Sequence, residues 1–261
     1  YGNEDNPFRS IQFAINISQD GDSIFVSSGD YSSISLDKDL FVIGQNRETT
    51  SVASINQLNG YISNFTSSSV SGFGGTLNNS IIQNGSGISN CGSPGTHYIV
   101  ENCIITNNSS STGGGVCGYN ITLRYTLIVD NYATSIGGGI YGPWNSNIEL
   151  INCTVANNES PLGSGVYLES QGNLVAINSI LYSNSAIASP GSGGYHSYSN
   201  GGWIGTSNTN VGGDPMFVDS DNGNYNLQLD SPMIDAGSPN SPLDDDKKLR
   251  HNIPIKNSLL K

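Results

Sequence analysis

Charge is scarce in this chain of 261 residues. Only 11% of it is Asp, Glu, Lys or Arg, against roughly a quarter in ordinary soluble domains. Basic residues are the scarcest: nine Lys and Arg face 21 Asp and Glu, for a formal charge of −12. That balance argues against a nucleic-acid partner, which needs a basic surface. No apolar run approaches the roughly 18 residues a membrane-crossing helix requires. Strong helix formers are sparse, and none of the four cysteines stands at zinc-ligand spacing. What remains is a chain of short β-branched runs, Ser, Asn and 33 glycines.

Those runs repeat. Asn84, Asn108, Asn131, Asn158 and Asn184 each follow a short apolar stretch, at spacings of 24, 23, 27 and 26 residues. Five residues before the later four lies a small residue: Cys103, Thr126, Cys153 and Ser179. Two residues after that lies an aliphatic: Ile105, Ile128, Val155 and Leu181. Glycine clusters at 113–115, 137–139 and 163–165 mark the bends. Period-two alternation at this repeat length predicts an all-β, single-stranded parallel β-helix, a solenoid of stacked coils. The small and aliphatic columns are expected to face inward. Each asparagine is expected to sit at a turn in the left-handed conformation and to bond to the coils above and below, forming a side-chain ladder.

The ends differ from the middle. Asn6 and Pro7 read as a helix start, with Phe8, Ile11, Ala14 and Ile15 on one face and Gly21 as the stop. A cap over residues 1–22, a β-helix with its closing segment over 23–238, and a linker or tail over 239–261 are the expected units. Pro7–Ile15, Gly21–Val26 and Gly29–Tyr31 resemble the opening of secreted right-handed parallel β-helix proteins of the pectate-lyase-like superfamily. Asn152–Asn158 and Gly137–Tyr141 are similar to their coil repeats, and Asp214–Asp219 and Ser231–Gly237 to their closing segment. Asn252–Leu260 resembles the linker before a type IX secretion sorting domain. These resemblances imply a secreted or cell-surface protein, part of a longer one, but they do not choose an activity, because the scaffold serves lyases, glycosidases and adhesins alike.

Chemistry is thinly supplied. A lyase needs a base and a cation beside a uronate carboxyl, and the coils offer Lys38, Arg47 and Arg124. Arg124 follows Glu101 by 23 residues, so an ion pair between coils is expected ahead of a catalytic base. A glycosidase needs two facing carboxylates; Asp130 and Glu159 are the acidic pair to test, against the alternative of ordinary solvated charges. His97, His196 and His251 read as loop or tail residues. Tyr141 and Tyr167 hold equivalent places and form either a sugar-stacking platform or a stack covering the flank; Trp144 and Trp203 lie in polar loops. Asp219 and Asp221 open an oxygen-rich loop that fails the EF-hand pattern but leaves a looser calcium site open. Cys103 and Cys153 read as buried packing residues. Cys91 and Cys117, 26 apart, either pair or stay free. The expected function is a glycan-directed binding or adhesin module, with a polysaccharide lyase or glycoside hydrolase as the alternative.

Overall fold

The computed structural model describes residues 2, 5–72, 74–92, 95–186, 196–198 and 214–234. Strands stack in parallel as a β-solenoid of about seven turns. One facet is an eight-stranded sheet made of Ser23–Val26, Phe41–Gly44, Tyr61–Ser63, Gly75–Asn78, His97–Glu101, Asn120–Arg124, Asn147–Ile151 and Asn173–Ile177. A 14-stranded sheet forms two further facets, and a four-stranded sheet fills the bend between them.

The inward columns are the core. Val42, Ile62, Leu77, Val100, Leu123, Leu150 and Ala176 are register partners in consecutive coils, all at most 2% exposed. The predicted column Ile105, Ile128, Val155 and Leu181 is buried with them, extended upward by Ile82. The small column follows too, with Ser80 added to Cys103, Thr126, Cys153 and Ser179. Small side chains are required there because the backbone turns sharply just before them: Asn79, Asn102, Tyr125, Asn152 and Asn178 all have positive φ.

The asparagine ladder forms, with one correction. Asn131 accepts from the backbone N–H and the Nδ2 of Asn108 (3.1 and 3.0 Å), and its own Nδ2 donates to Asn158 Oδ1 and Ile105 O. Asn158 repeats the pattern with Asn184. Asn84 is not a member. The register Gln83↔Thr106 puts Gly85, not Asn84, opposite Asn108, and the Gly85 N–H donates to Asn108 Oδ1 at 3.2 Å. A side chain at 85 has no room, since a Cβ there would collide with the Ser68 carbonyl. Asn84 belongs to the neighbouring column with Asn107, Asp130, Asn157 and Ser183, all left-handed (φ 51 to 57°). The two jobs expected of one asparagine are thus divided between adjacent residues: one makes the turn, the next makes the ladder.

The N-terminal cap is shorter than expected. The α-helix spans Ile11–Ile17, and its N-cap is Ser10, whose hydroxyl accepts from Phe13 N, rather than Asn6. It ends at Ser18, ahead of Gly21. Ile11 and Ile15 close the top of the core. Gln12 pairs both its amide oxygen and its nitrogen with the Ser35 backbone (2.7 and 3.2 Å), occupying an exposed strand edge as a further strand would. Lys38 is no candidate base: its Nζ donates to the carbonyls of Ile15, Asn16 and Ser18 at 2.8–2.9 Å, closing the negative end of the helix. Arg47 is likewise structural, bonding Asn79 Oδ1 and Asn102 O across the turns.

Residues 214–234 fold back against the flank. The antiparallel pair Phe217–Asp219 and Asn224–Leu227 lays Phe217 and Tyr225 over an apolar patch made by the column Ile81, Ile104 and Leu127 and, two residues along, by Val129 and Ala156. Met233 packs on Ile180 beyond it.

Candidate functional site: a groove on the eight-stranded face

Alternation along each strand turns a second set of side chains outward. On the eight-stranded facet one outward column reads Ser23, Phe41, Tyr61, Thr76, Ile99, Thr122, Glu149 and Val175, every neighbour in register. A second reads Phe25, Ile43, Ser63, Asn78, Glu101, Arg124, Ile151 and Ile177. Beside them, His97, Asn120, Asn147 and Asn173 begin the last four strands. At this end of the face lies an open groove of about 450 Å³, where His97, Asn120, Thr122, Asn147, Glu149 and Asn173 stand beside the apolar Ile121, Ile148 and Val175.

The groove is wired across three coils. Thr122 Oγ1 donates to Glu149 Oε2 at 3.1 Å and lies 3.0 Å from His97 Nε2. A hydroxyl has one proton. With that proton committed to Glu149, His97 Nε2 is the donor to Thr122. Threonine, not histidine, stands in the middle, so these three groups do not have the nucleophile–base–acid order of a catalytic triad. Asn147 Nδ2 reaches Asn120 Oδ1 at 3.3 Å in the adjacent column. The result is a line of polar groups joined from coil to coil, His97, Thr122 and Glu149 with Asn120 and Asn147 beside them, on strands about 4.8 Å apart along the solenoid axis.

Two of the predicted site residues border this face. Arg124 is the register partner of Glu101, as expected from the spacing. The Glu101 carboxylate accepts from Asn78 Nδ2 on the coil above (3.1 Å), while Arg124 Nε is buried with no hydrogen-bond partner. Trp144, 55% exposed, stands at the corner leading into Asn147–Ile151, and its backbone N–H donates to Glu169 Oε2 at 3.1 Å.

The other predicted residues lie elsewhere. Tyr141 and Tyr167 do stack, with ring centroids 6.1 Å apart and planes 24° apart, but they are buried with Cys117 on a different flank, and the Tyr141 hydroxyl bonds Glu169. They cover the solenoid side and offer no open ring face. Asp130 and Glu159 are not register partners. Glu159 is exposed and in register with Tyr132, whereas Asp130 receives a hydrogen bond from the Tyr225 hydroxyl at 2.8 Å, itself bonded by Asn157 Nδ2 at 2.8 Å. Asp219 accepts from Asn222 Nδ2 and Asp221 sits in the short 3-10 turn after it; among the described residues no group of three or more His, Cys, Asp or Glu converges on a metal position. Trp203 and His251 lie outside the described residues, as does the tail from 235 onward. Cys91 and Cys117 are bridged, with Cα atoms 5.4 Å apart.

Asp130 titrates abnormally. Burial raises its carboxyl above the usual carboxylate range, partly opposed by the bonds from Tyr225 and Asn157. Asp221 of the closing segment acts in turn on Tyr225. A carboxyl with raised folded-state pKa binds its proton more tightly when folded, so stability falls as pH rises from about 4 through the folded value. Asn at 130 keeps the acceptor for Tyr225 and, as Asn107 and Asn157 show in the same column, suits the left-handed turn. Asp130→Asn is therefore expected to raise the melting temperature at pH 7 by about 2 °C, with the gain vanishing below about pH 4. Thermal melts across pH check it; a gain independent of pH would contradict it.

Compared with known proteins, the chain matches no family model, no curated relative and no solved structure.

Proposed function

We propose that the chain is a secreted or cell-surface glycan-binding rod, holding a polysaccharide along the outer face of the eight-stranded sheet. The observation that carries this is the groove itself: hydroxyl, amide and carboxylate groups fixed by hydrogen bonds between coils, at a spacing of about 4.8 Å. Such a row suits a chain of ring hydroxyls, each of which both donates and accepts. An extracellular place is supported by the Cys91–Cys117 bridge, which persists in oxidising surroundings. The resemblances to secreted β-helix proteins of the pectate-lyase-like superfamily and to a sorting-domain linker point the same way. Binding without turnover is favoured over lyase or hydrolase chemistry because Lys38 and Arg47 are committed to backbone and turn carbonyls or amides, and Asp130 to Tyr225 on another facet.

Retention on immobilised neutral and acidic polysaccharides, with calcium and with chelator, tests this together with mass analysis of the supernatant. A neutral glycan should be retained and no oligosaccharide released. Asn147→Ala and Glu149→Gln should each weaken retention about tenfold, near 1.4 kcal/mol. Unsaturated uronate products would make the protein a lyase, and saturated ones a hydrolase; either sinks the binding-only reading.

A further inference from the structure

Three aromatic side chains stand outward on the N-terminal half of the same face. Inward positions of those strands are taken by Ile24, Val26, Val42 and Ile62, so alternation sends Phe25, Phe41 and Tyr61 to solvent. Phe25 is 78% exposed and Phe41 43%. Phe41 and Tyr61 are register partners whose ring centroids lie 5.7 Å apart with planes 43° apart. The solenoid does not need aromatics there: later outward positions in the same two columns carry Thr76, Asn78, Thr122 and Glu149 as well as the smaller aliphatics Ile99, Ile151, Val175 and Ile177. A cluster of aromatics left open to solvent marks a contact surface.

What kind of ligand it takes follows from its surroundings. From Ser23 to Asn78 the two outward columns hold Ser, Phe, Ile, Tyr, Thr and Asn, with no charge, although the whole chain carries −12. Phe41 and Tyr61 share one column with Thr122 and Glu149 of the groove, and Phe25 stands in the column beside it. An uncharged ring with one CH-rich face and a rim of hydroxyls fits both halves: the face stacks on the aromatic rings and the rim bonds the polar row. We infer that Phe25, Phe41 and Tyr61 form a stacking subsite for a neutral pyranose ring, at the N-terminal end of the face on which the proposed glycan lies. This rests on the glycan-binding reading above and narrows it to neutral chains. From the Tyr61 strand to the Asn120 strand is three strand spacings, about 14 Å, so only an oligomer of several sugar units reaches both.

Calorimetric titration with hexasaccharides and disaccharides of cellulose, xylan, mannan and starch tests the subsite. The proteins compared are the wild type, the Phe25→Ser/Phe41→Ser double variant and Glu149→Gln, with circular dichroism to confirm that each is folded. At least one hexasaccharide should bind, and the double variant should weaken it tenfold or more while leaving disaccharide binding in the groove within about twofold. A hexasaccharide that is weakened by Glu149→Gln yet indifferent to the double variant overturns the subsite and leaves the groove standing. Binding of no hexasaccharide to the wild type overturns both. A wild-type dimer in sedimentation that the double variant makes monomeric shows that a second copy, not a sugar, covers the aromatics.

Discussion

Replacing Asn131 with alanine should cost about 3–5 kcal/mol of folding free energy, while the same change at Asn84 should cost about 1. Asn131 is 1% exposed and joins three coils at once. Its Oδ1 satisfies the Asn108 backbone N–H, and its Nδ2 bonds Ile105 O, Val129 O and Asn158 Oδ1. Alanine removes all of these and leaves a buried N–H and a buried carbonyl without partners, each worth about 1–3 kcal/mol, with a small cavity beside them. Asn84 is a turn residue without ladder bonds, so alanine there loses only the left-handed preference, about 1 kcal/mol. Because each coil contacts only its neighbours, the damage at 131 should spread along the stack rather than stay at one turn. Urea denaturation of the two variants measures the difference; equal losses would mean the ladder contributes no more than a turn.

That pair also shows how much the sequence disclosed. Residue type at constant spacing was enough for the solenoid, for both inward columns and for the four true ladder asparagines, because burial and coil stacking both enforce strict register. The slip came where letter and register disagreed: Asn84 carries the right letter one place early, and Gly85 takes the ladder place because the Ser68 carbonyl leaves no room for a side chain. The groove was half visible. The spacing that pairs Glu101 with Arg124 also aligns His97 with Asn120, and Ile99 with Thr122. Weighed one at a time, His97 read as a loop residue; stacked by coil, it is part of a row. The aromatic column was hidden because the early coils vary in length, with Phe41 to Tyr61 spanning 20 residues and Tyr61 to Thr76 only 15. Tyr225 over Asp130, 95 residues apart, lies outside any repeat and no periodicity reveals it. Of the two places the sequence left open for the stacked tyrosines, the structure takes the flank, where they pack with Cys117 and its neighbours.

Reducing the Cys91–Cys117 bridge should lower stability by about 3.5 kcal/mol, the chain-entropy value for a closed loop of 26 residues. The bridge ties Cys91, in the bend between the strand Ile81–Asn90 and the start of His97–Glu101, to Cys117 in the strand Val116–Gly118 of the next coil; in the same bend Asn90 Nδ2 donates to Thr96 Oγ1 at 3.1 Å. Freed of it, the bend gains conformations in the unfolded chain and loses an anchor in the folded one. His97, which opens the groove, follows directly. Denaturation of the wild type with and without reductant should therefore differ, and the Cys91→Ala/Cys117→Ala variant should match the reduced protein. The remaining thiols serve as an internal control. Cys103 and Cys153 are buried in the small inward column, and burial pushes both thiols up to about 12, so almost no thiolate forms at neutral pH. In the reduced but folded protein an alkylating agent should label Cys91 and Cys117 and spare the other two. Labelling of all four before the unfolding transition would show instead that the coils open locally, and that the core columns, not the bridge, set the weakest point of the rod.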